Sequence, residues 1–352
     1  MSTQFQIHQD DQETAARRAA FIAKSGPEAL ANFTSKFDLN RVTKSFPGTF
    51  IEQRNSSLGD ALKIAGADFE VAKAPVLAVL NADLAVEVKG KAALYRTDSN
   101  EPLGIAGDTY GIVQNREAFR AAGELAEQGK FDIASIEVVG NGELVRLHGV
   151  IGQSAIRDVP GFGPDVIAHY ATFEAGHDGW HGHGGALNSI RTWCLNGATV
   201  RDRLTSWTGR HTSKASKRND EAQAFLLQIY TAAEFETLSF QKMAHTRMGT
   251  DEYRAFAKQL LKQVLGDIED EKATERKIEN RKQAIEELET LFTSGVGNFG
   301  ETRWDAYNSV TEWVTARREN AKDAIDFAKK YQSQIDGHNA KFRAKARALL
   351  VK

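Results

Sequence analysis

A single cysteine, Cys194, leaves this chain without the partner that an internal disulfide requires. No apolar run approaches the ~20 residues of a membrane-spanning helix. The first thirty residues, polar MSTQFQIHQDDQE followed by AARRAAFIAK, lack the uninterrupted apolar core and cleavage pattern of a secretory signal. Together these absences predict a cytoplasmic protein and exclude a disulfide-built or membrane-embedded one. Charge of one sign is missing too: 45 Lys and Arg stand against 47 Asp and Glu, for a net charge of −2. Whole-molecule attraction to nucleic acid is therefore excluded, and any binding must come from a local patch.

What is present suffices for a full core. A chain of 352 residues predicts about two cooperating units. In the first half, LGDALKIAGA spaces Leu58, Ala61 and Leu62 as a helix, and the β-branched, Pro-interrupted FEVAKAPVLAVL follows as a strand. Further strands are predicted over Ala92–Arg96, Gly104–Val113, Ile133–Val139, Leu144–Ile151, Val166–Phe173 and Ser189–Cys194, with GNG joining Ile133–Val139 to Leu144–Ile151 as a hairpin. Asn115 is the expected cap of a helix that Gly129 ends.

After Asn196 the period changes to 3.6. Phe225, Leu226, Ile229, Ala232, Ala233, Phe240 and Met243 share one helical face, and Tyr253, Phe256, Leu260 and Val264 share another behind Thr250 as expected cap. Asp267–Thr290, dense in alternating charges, predicts a solvated helix supported by i,i+4 pairs and ending at GVGNFG. Trp304, Tyr307, Val310, Trp313 and Val314 then form the apolar face of one or two last helices, in which Asn308 and Thr311 are expected to bond between helices. The fold expected is α+β, a mostly antiparallel sheet core followed by a helical half. Its divisions are an N-terminal extension over 1–45, a core domain over 46–215 and a helical domain over 216–352.

Chemistry concentrates between His177 and Arg218. In HDGWHGHGG, residues His177, Asp178, His181 and His183 supply donor atoms for a divalent transition metal, with Glu174, His169 or His211 as further candidates. Their spacing matches no closed ligand pattern, and the alternatives are a hairpin tip with solvated histidines or a glycine-rich anion contact beside Trp180. The segment from Arg191 to Arg218 holds seven bases (Arg191, Arg201, Arg203, Arg210, Lys214, Lys217, Arg218) against one acid, Asp202. With Trp193 and Trp207 interleaved, this is the composition of a sequence-tolerant single-strand contact, and the alternative is a solvated helix face with core tryptophans. Arg191, alternating with Ile190 and Trp193, is also a candidate for a buried ion pair. A nucleophilic Cys194 beside His211 or His177 lacks any supporting context. GVGNFG follows a helix and has no Lys-Ser/Thr after it, so it is a helix-ending turn and not a phosphate loop.

Several strings spread along the chain, LGDALKIAGADFEV, PLGIAGDTYGIVQNREAF, HDG with IRTWCLNGA, RHT, and RKIENRKQAIEEL with GVGNFGETRWDAYNSVTEW, resemble the phage/plasmid-like protein family, a domain of unknown function. The family's His-Asp-Gly turn corresponds to His177, Asp178 and Gly179, whereas FPGTFIEQRNSSLGD carries no Trp-His-Gly signature where family members often have one. The resemblance implies a phage, prophage or plasmid origin, hence a bacterial host cell, and no particular activity.

The function expected from these readings is non-enzymatic binding of nucleic acid, single-stranded DNA in particular, in phage or plasmid recombination or strand annealing, by a homo-oligomer. Arg201, Arg203, Arg210, His211, Lys214, Lys217 and Arg218 would follow phosphates while Trp180 or Trp207 stacks on bases. The alternatives are a metal-dependent enzyme acting on nucleic acid through the histidine loop, and a host-protein interaction or inhibitor protein.

Overall fold

The computed structural model describes residues 48–52, 57–159, 163–191, 206–209, 219–267, 274–295, 298–319 and 337–351. Cys194, Trp193, Arg201, Arg203, Arg210, His211, Lys214, Lys217 and Arg218 lie outside these residues, and of Trp207 only the backbone is described.

An antiparallel sheet of six strands organises the first half. Its spatial order is β1 (Thr49–Phe50), β5 (Asp132–Val139), β6 (Leu144–Val159), β7 (Gly163–Gly176), β8 (His183–Arg191) and β9 (Ser206–Gly209). The GNG hairpin forms as expected, with Val139 opposite Leu144 and with Gly140 and Gly142 at φ +62° and +118°, the left-handed backbone that glycine tolerates best. Ile133 stands opposite Gly149, whose missing side chain makes room for the Phe131 ring.

A second sheet holds β2 (Val71–Asn81), β3 (Leu84–Arg96) and β4 (Pro102–Gly107). The strand expected to run to Val113 stops at Gly107, because the chain turns there and the Lys73 ammonium donates to the carbonyls of Asp108 (2.9 Å) and Tyr110 (3.0 Å).

Short helices α1 (Leu58–Ile64), α2 (Asn115–Ala118) and α3 (Arg120–Glu127) share an apolar cluster with the large sheet, where Leu62, Phe119 and Ala122 join Ile133, Leu147 and Phe173. Ser57 caps α1 by accepting the Asp60 N–H at 3.2 Å. Asn115 does not cap: Gln114 takes that position, and Asn115 is the first helical residue, its side chain turned into the core. Gly129, at φ +66°, follows the end of α3.

The second half comprises α4 (Asn219–Ala244), α5 (Thr250–Leu265), α6 (Glu275–Ser294), α7 (Arg303–Glu319) and α8 (His338–Leu350). The architecture is α+β, as the sequence implied. Gly249, not Thr250, is the cap residue of α5. Thr302 and Asp305 start α7 reciprocally, the Thr302 hydroxyl accepting the Asp305 N–H (3.1 Å) while the Asp305 carboxylate accepts the Thr302 N–H (2.9 Å). Asn308 and Thr311 bond within α7, to the carbonyls of Trp304 and Asn308, and not between helices.

Two apolar clusters carry the packing. One joins Leu62, Phe119, Ala122, Leu147, Phe173 and Leu187 to Ile229, Ala232 and Ala233 of α4. The other joins Ile156, Val159 and Ile167, from one end of β6 and β7, to Phe240, Tyr253, Phe292, Trp304, Tyr307 and Phe342 of the helices. Both clusters draw on sheet and helices together, so each half contributes to the burial that stabilises the other.

Candidate functional site

The turn between β7 and β8 presents the most accessible chemistry of the histidine segment. Asp178 builds it: its Oδ1 accepts the backbone N–H groups of Trp180 and His181, both at 2.8 Å, and its Oδ2 lies 2.6 Å from His181 Nδ1. This is an Asx turn, in which a short carboxylate side chain replaces the partners a strand would offer. Glycine makes the turn tight. Gly179 sits at φ +83° with its α-carbon packed toward Ile105 and Ala106, while a side chain on Gly104 of β4 or on Gly176 would collide with the backbone of Asp178 or His181. The Tyr110 hydroxyl donates to the Gly176 carbonyl at 3.3 Å, fixing the start of the turn from below.

Electrostatics reinforce that geometry. Partial burial raises the Asp178 pKa, but the His181 imidazole and the two backbone N–H groups outweigh it and bring the carboxyl down to about 2. The hydrogen bond to Asp178 raises the His181 pKa; burial opposes the rise, the Asp178 and Glu174 charges support it, and Arg146 lowers it. His181 is thus biased toward imidazolium, and its neighbour Trp180 stands 89% exposed. An exposed indole on a braced backbone, beside a half-exposed cation, offers a face for a planar base and a charge for an anion.

Behind the turn runs a charged row across the sheet. Arg146 is buried and bonds Glu137 at 2.8 Å and Glu174 at 3.2 Å, three residues paired in register on β5, β6 and β7. Next to it, His148 Nδ1 lies 2.8 Å from the Thr172 hydroxyl, which accepts from the Asn188 amide at 2.6 Å. Glu137, Arg146 and His148 escaped the reading of the sequence, although the GNG hairpin sets Glu137 and Arg146 opposite each other once its register is counted outward.

The other histidines have structural work. His177 is buried, with Nε2 donating to the Asn115 side-chain oxygen (2.8 Å), while the Asn115 amide donates to the Ala67 carbonyl (2.9 Å). His183 is buried within β8, opposite Ala175 and Gly209. Of the proposed ligand set only Asp178 and His181 meet, and among the described residues no three His, Cys, Asp or Glu side chains gather as a metal-binding group. The alternative of a tip with solvated histidines holds for His181 alone.

His169, named as a further ligand candidate, lies between the sheet and α4. Glu236 accepts the Ser189 hydroxyl proton at 2.6 Å, so the Ser189 oxygen receives His169 Nδ1–H at 2.8 Å, and Nε2 is left to accept from Ser154 at 2.7 Å. Burial holds the His169 pKa down to about 4, which matches this neutral tautomer. Glu236 also receives Arg347 of α8 at 3.1 Å. Arg191 behaves as expected of a buried ion pair: Asp165 lies 2.5 Å away, both side chains are excluded from water, and the Trp304 indole donates to the same Asp165 oxygen at 2.9 Å.

Strand β9 links the turn to the basic segment. Trp207 pairs with Gly185 and Gly209 with His183, so β9 ends opposite the residue at which the turn enters β8. The next residue in the chain is Arg210.

The fold and the turn define an α+β protein that presents an aspartate-braced Trp-His pair at one end of its main sheet. The family described as Domain of unknown function (DUF932) matches residues 102–346, well over half of the chain, and the protein belongs to that family. No curated protein and no solved structure matches the chain. Among the described residues no helix is long and apolar enough to cross a membrane.

Proposed function

We propose that the protein binds single-stranded nucleic acid at the turn between β7 and β8, as a non-enzymatic component of phage or plasmid DNA recombination or strand annealing. The observation that carries this reading is Trp180, a large aromatic side chain left 89% exposed on a turn held by three hydrogen bonds to Asp178. A tryptophan indole is normally buried, so one left exposed on a braced turn is available for a base to stack on, and the backbone that carries it needs no further ordering. His181 supplies a positive partner for a phosphate. The basic residues Arg201, Arg203, Arg210, His211, Lys214, Lys217 and Arg218 flank β9 in sequence, and β9 pairs with the strand that leaves the turn. In this reading they follow the phosphates, with Trp207 as a second stacking candidate, and the protein acts in the cytoplasm of the host cell.

A metal-dependent reaction receives no comparable support, since His177 and His183 are committed to the interior and do not join Asp178 and His181. Fluorescence anisotropy of a labelled single-stranded oligonucleotide at several salt concentrations tests the proposal. Binding should weaken with salt, and the Lys214→Ala/Lys217→Ala/Arg218→Ala variant should flatten the log–log salt slope by about 2, given roughly 0.7 per neutralised phosphate on single strands. Absence of binding at low salt would overturn the proposal.

A further inference from the structure

One ring nitrogen of His181 is held and the other is not. Asp178 Oδ2 lies 2.6 Å from His181 Nδ1, and the Asp178 carboxyl, whose pKa lies at about 2, is ionised near neutrality and can only accept. Nδ1 therefore carries a proton in both charge states of the ring. What changes on titration is Nε2 alone, a bare lone pair in the neutral imidazole and an N–H donor in the imidazolium. The His181 side chain is 47% exposed, and Nε2 forms no hydrogen bond among the described residues.

The surroundings favour the charged ring. The hydrogen bond to Asp178 raises the His181 pKa above 6.5, so the ring changes charge above that pH. Glu174 of β7 and Arg146 of β6 are the charges that reach it from the sheet, and they are bonded to each other at 3.2 Å. Tyr110 meets the turn at the Gly176 carbonyl; burial and the Asp178 charge push its hydroxyl up, so it stays protonated. β4 brings no charge to the turn, only Gly104, Ile105 and Ala106.

We propose that His181 is a proton-gated phosphate contact, so that a nucleic-acid phosphate binds beside Trp180 together with a proton on Nε2. The imidazolium donates its Nε2–H to a phosphate oxygen and offsets part of the charge, whereas the neutral ring turns a lone pair toward the same oxygen, acceptor against acceptor. A phosphodiester stays anionic near neutrality and can only accept, so it selects the charged ring and takes up a proton as it binds. An unpaired surface histidine escapes this conflict by exchanging tautomers or turning its ring; here either change gives up the bond to Asp178 Oδ2. Trp180 is the preceding residue and is exposed, so a base stacked on the indole brings its flanking phosphates to the same turn. The inference rests on the proposed binding of single strands at this turn and adds to it the charge state in which the site is competent.

The test is anisotropy of a labelled oligothymidylate, whose bases do not titrate near neutrality, against the full-length protein and His181→Gln from about pH 6 to about pH 9. Beside it, NMR follows the His181 imidazole of the unaltered protein, free and with the oligonucleotide bound. The unaltered protein should lose about tenfold more affinity over that range than the variant does, and the bound ring should titrate about one pH unit above the free one. Taking the difference between the two proteins separates His181 from His211 and the other histidines. Should the variant not fold, the NMR shift decides alone. Parallel pH profiles, or a His181 pKa unmoved by a bound oligonucleotide, would overturn the coupling and leave binding itself standing; no binding at any pH would overturn both.

Discussion

Asp178 and His181 are joined side chain to side chain at 2.6 Å while the same carboxylate accepts the His181 backbone N–H, so one residue fixes both the path of the turn and the charge bias of the imidazole. The consequence is a stability that depends on pH at both ends. Because the folded His181 pKa is raised above 6.5, its stabilisation is complete below that value and fades as pH rises through the folded pKa. Asp178 is depressed from 3.8 to about 2, so its contribution is present above pH 3.8 and is lost as pH falls toward 2. The turn is therefore most stable between these limits. Asp178→Ala should cost about 1–3 kcal/mol through the lost backbone hydrogen bonds and return the His181 pKa toward its ordinary value. An NMR titration of the imidazole reads the second effect, and an unmoved His181 pKa in the variant would rule the pairing out.

Gly104 sets how close β4 comes to the turn. A methyl group there meets the backbone of Asp178, so Gly104→Ala should destabilise by about 1–3 kcal/mol, whereas Gly152→Ala, with open space around it, should change little. Thermal unfolding of the two variants separates them, and equal melting temperatures would contradict the packing described.

Arg191 and Asp165 tie the main sheet to α7. Arg191→Met leaves a buried carboxylate that, among the described residues, keeps only the Trp304 indole as a partner, and the expected cost is about 3–5 kcal/mol. Urea unfolding measures it. A loss below about 1 kcal/mol would mean that water reaches this pair.

Much of this fold was legible because its signals are local. Ile229, Ala232, Phe240 and Met243, like Trp304, Tyr307 and Val310, repeat at the helical period and do pack into the core. Gly140 and Gly142 marked a hairpin that forms, and the alternation around Arg191 announced a buried pair. The failures were of a different kind. Asn115 has the chemistry of a cap, yet a tertiary contact with His177 claims its side chain. The row Glu137–Arg146–Glu174 depends on register across three strands, and nothing short of that register reveals it. VLAVL has the composition of a strand and forms one, but an apolar strand looks the same in sequence whether it crosses a core or stands exposed. At the candidate site, the histidine spacing could not say which rings face inward. Burial separates His177 and His183 from His181, and it is the sheet that decides burial.

The most direct test of the central claim is the affinity of a labelled single-stranded oligonucleotide for the unaltered protein, Trp180→Phe and Trp180→Ala, measured by anisotropy at one low salt concentration. Since Trp180 is exposed, all three should share one melting temperature. Loss of a stacked base is worth about 1–3 kcal/mol, so Trp180→Ala should bind roughly 10- to 100-fold more weakly while Trp180→Phe keeps most of the affinity. Equal affinity of the alanine variant would contradict the account and remove the turn from any nucleic-acid surface.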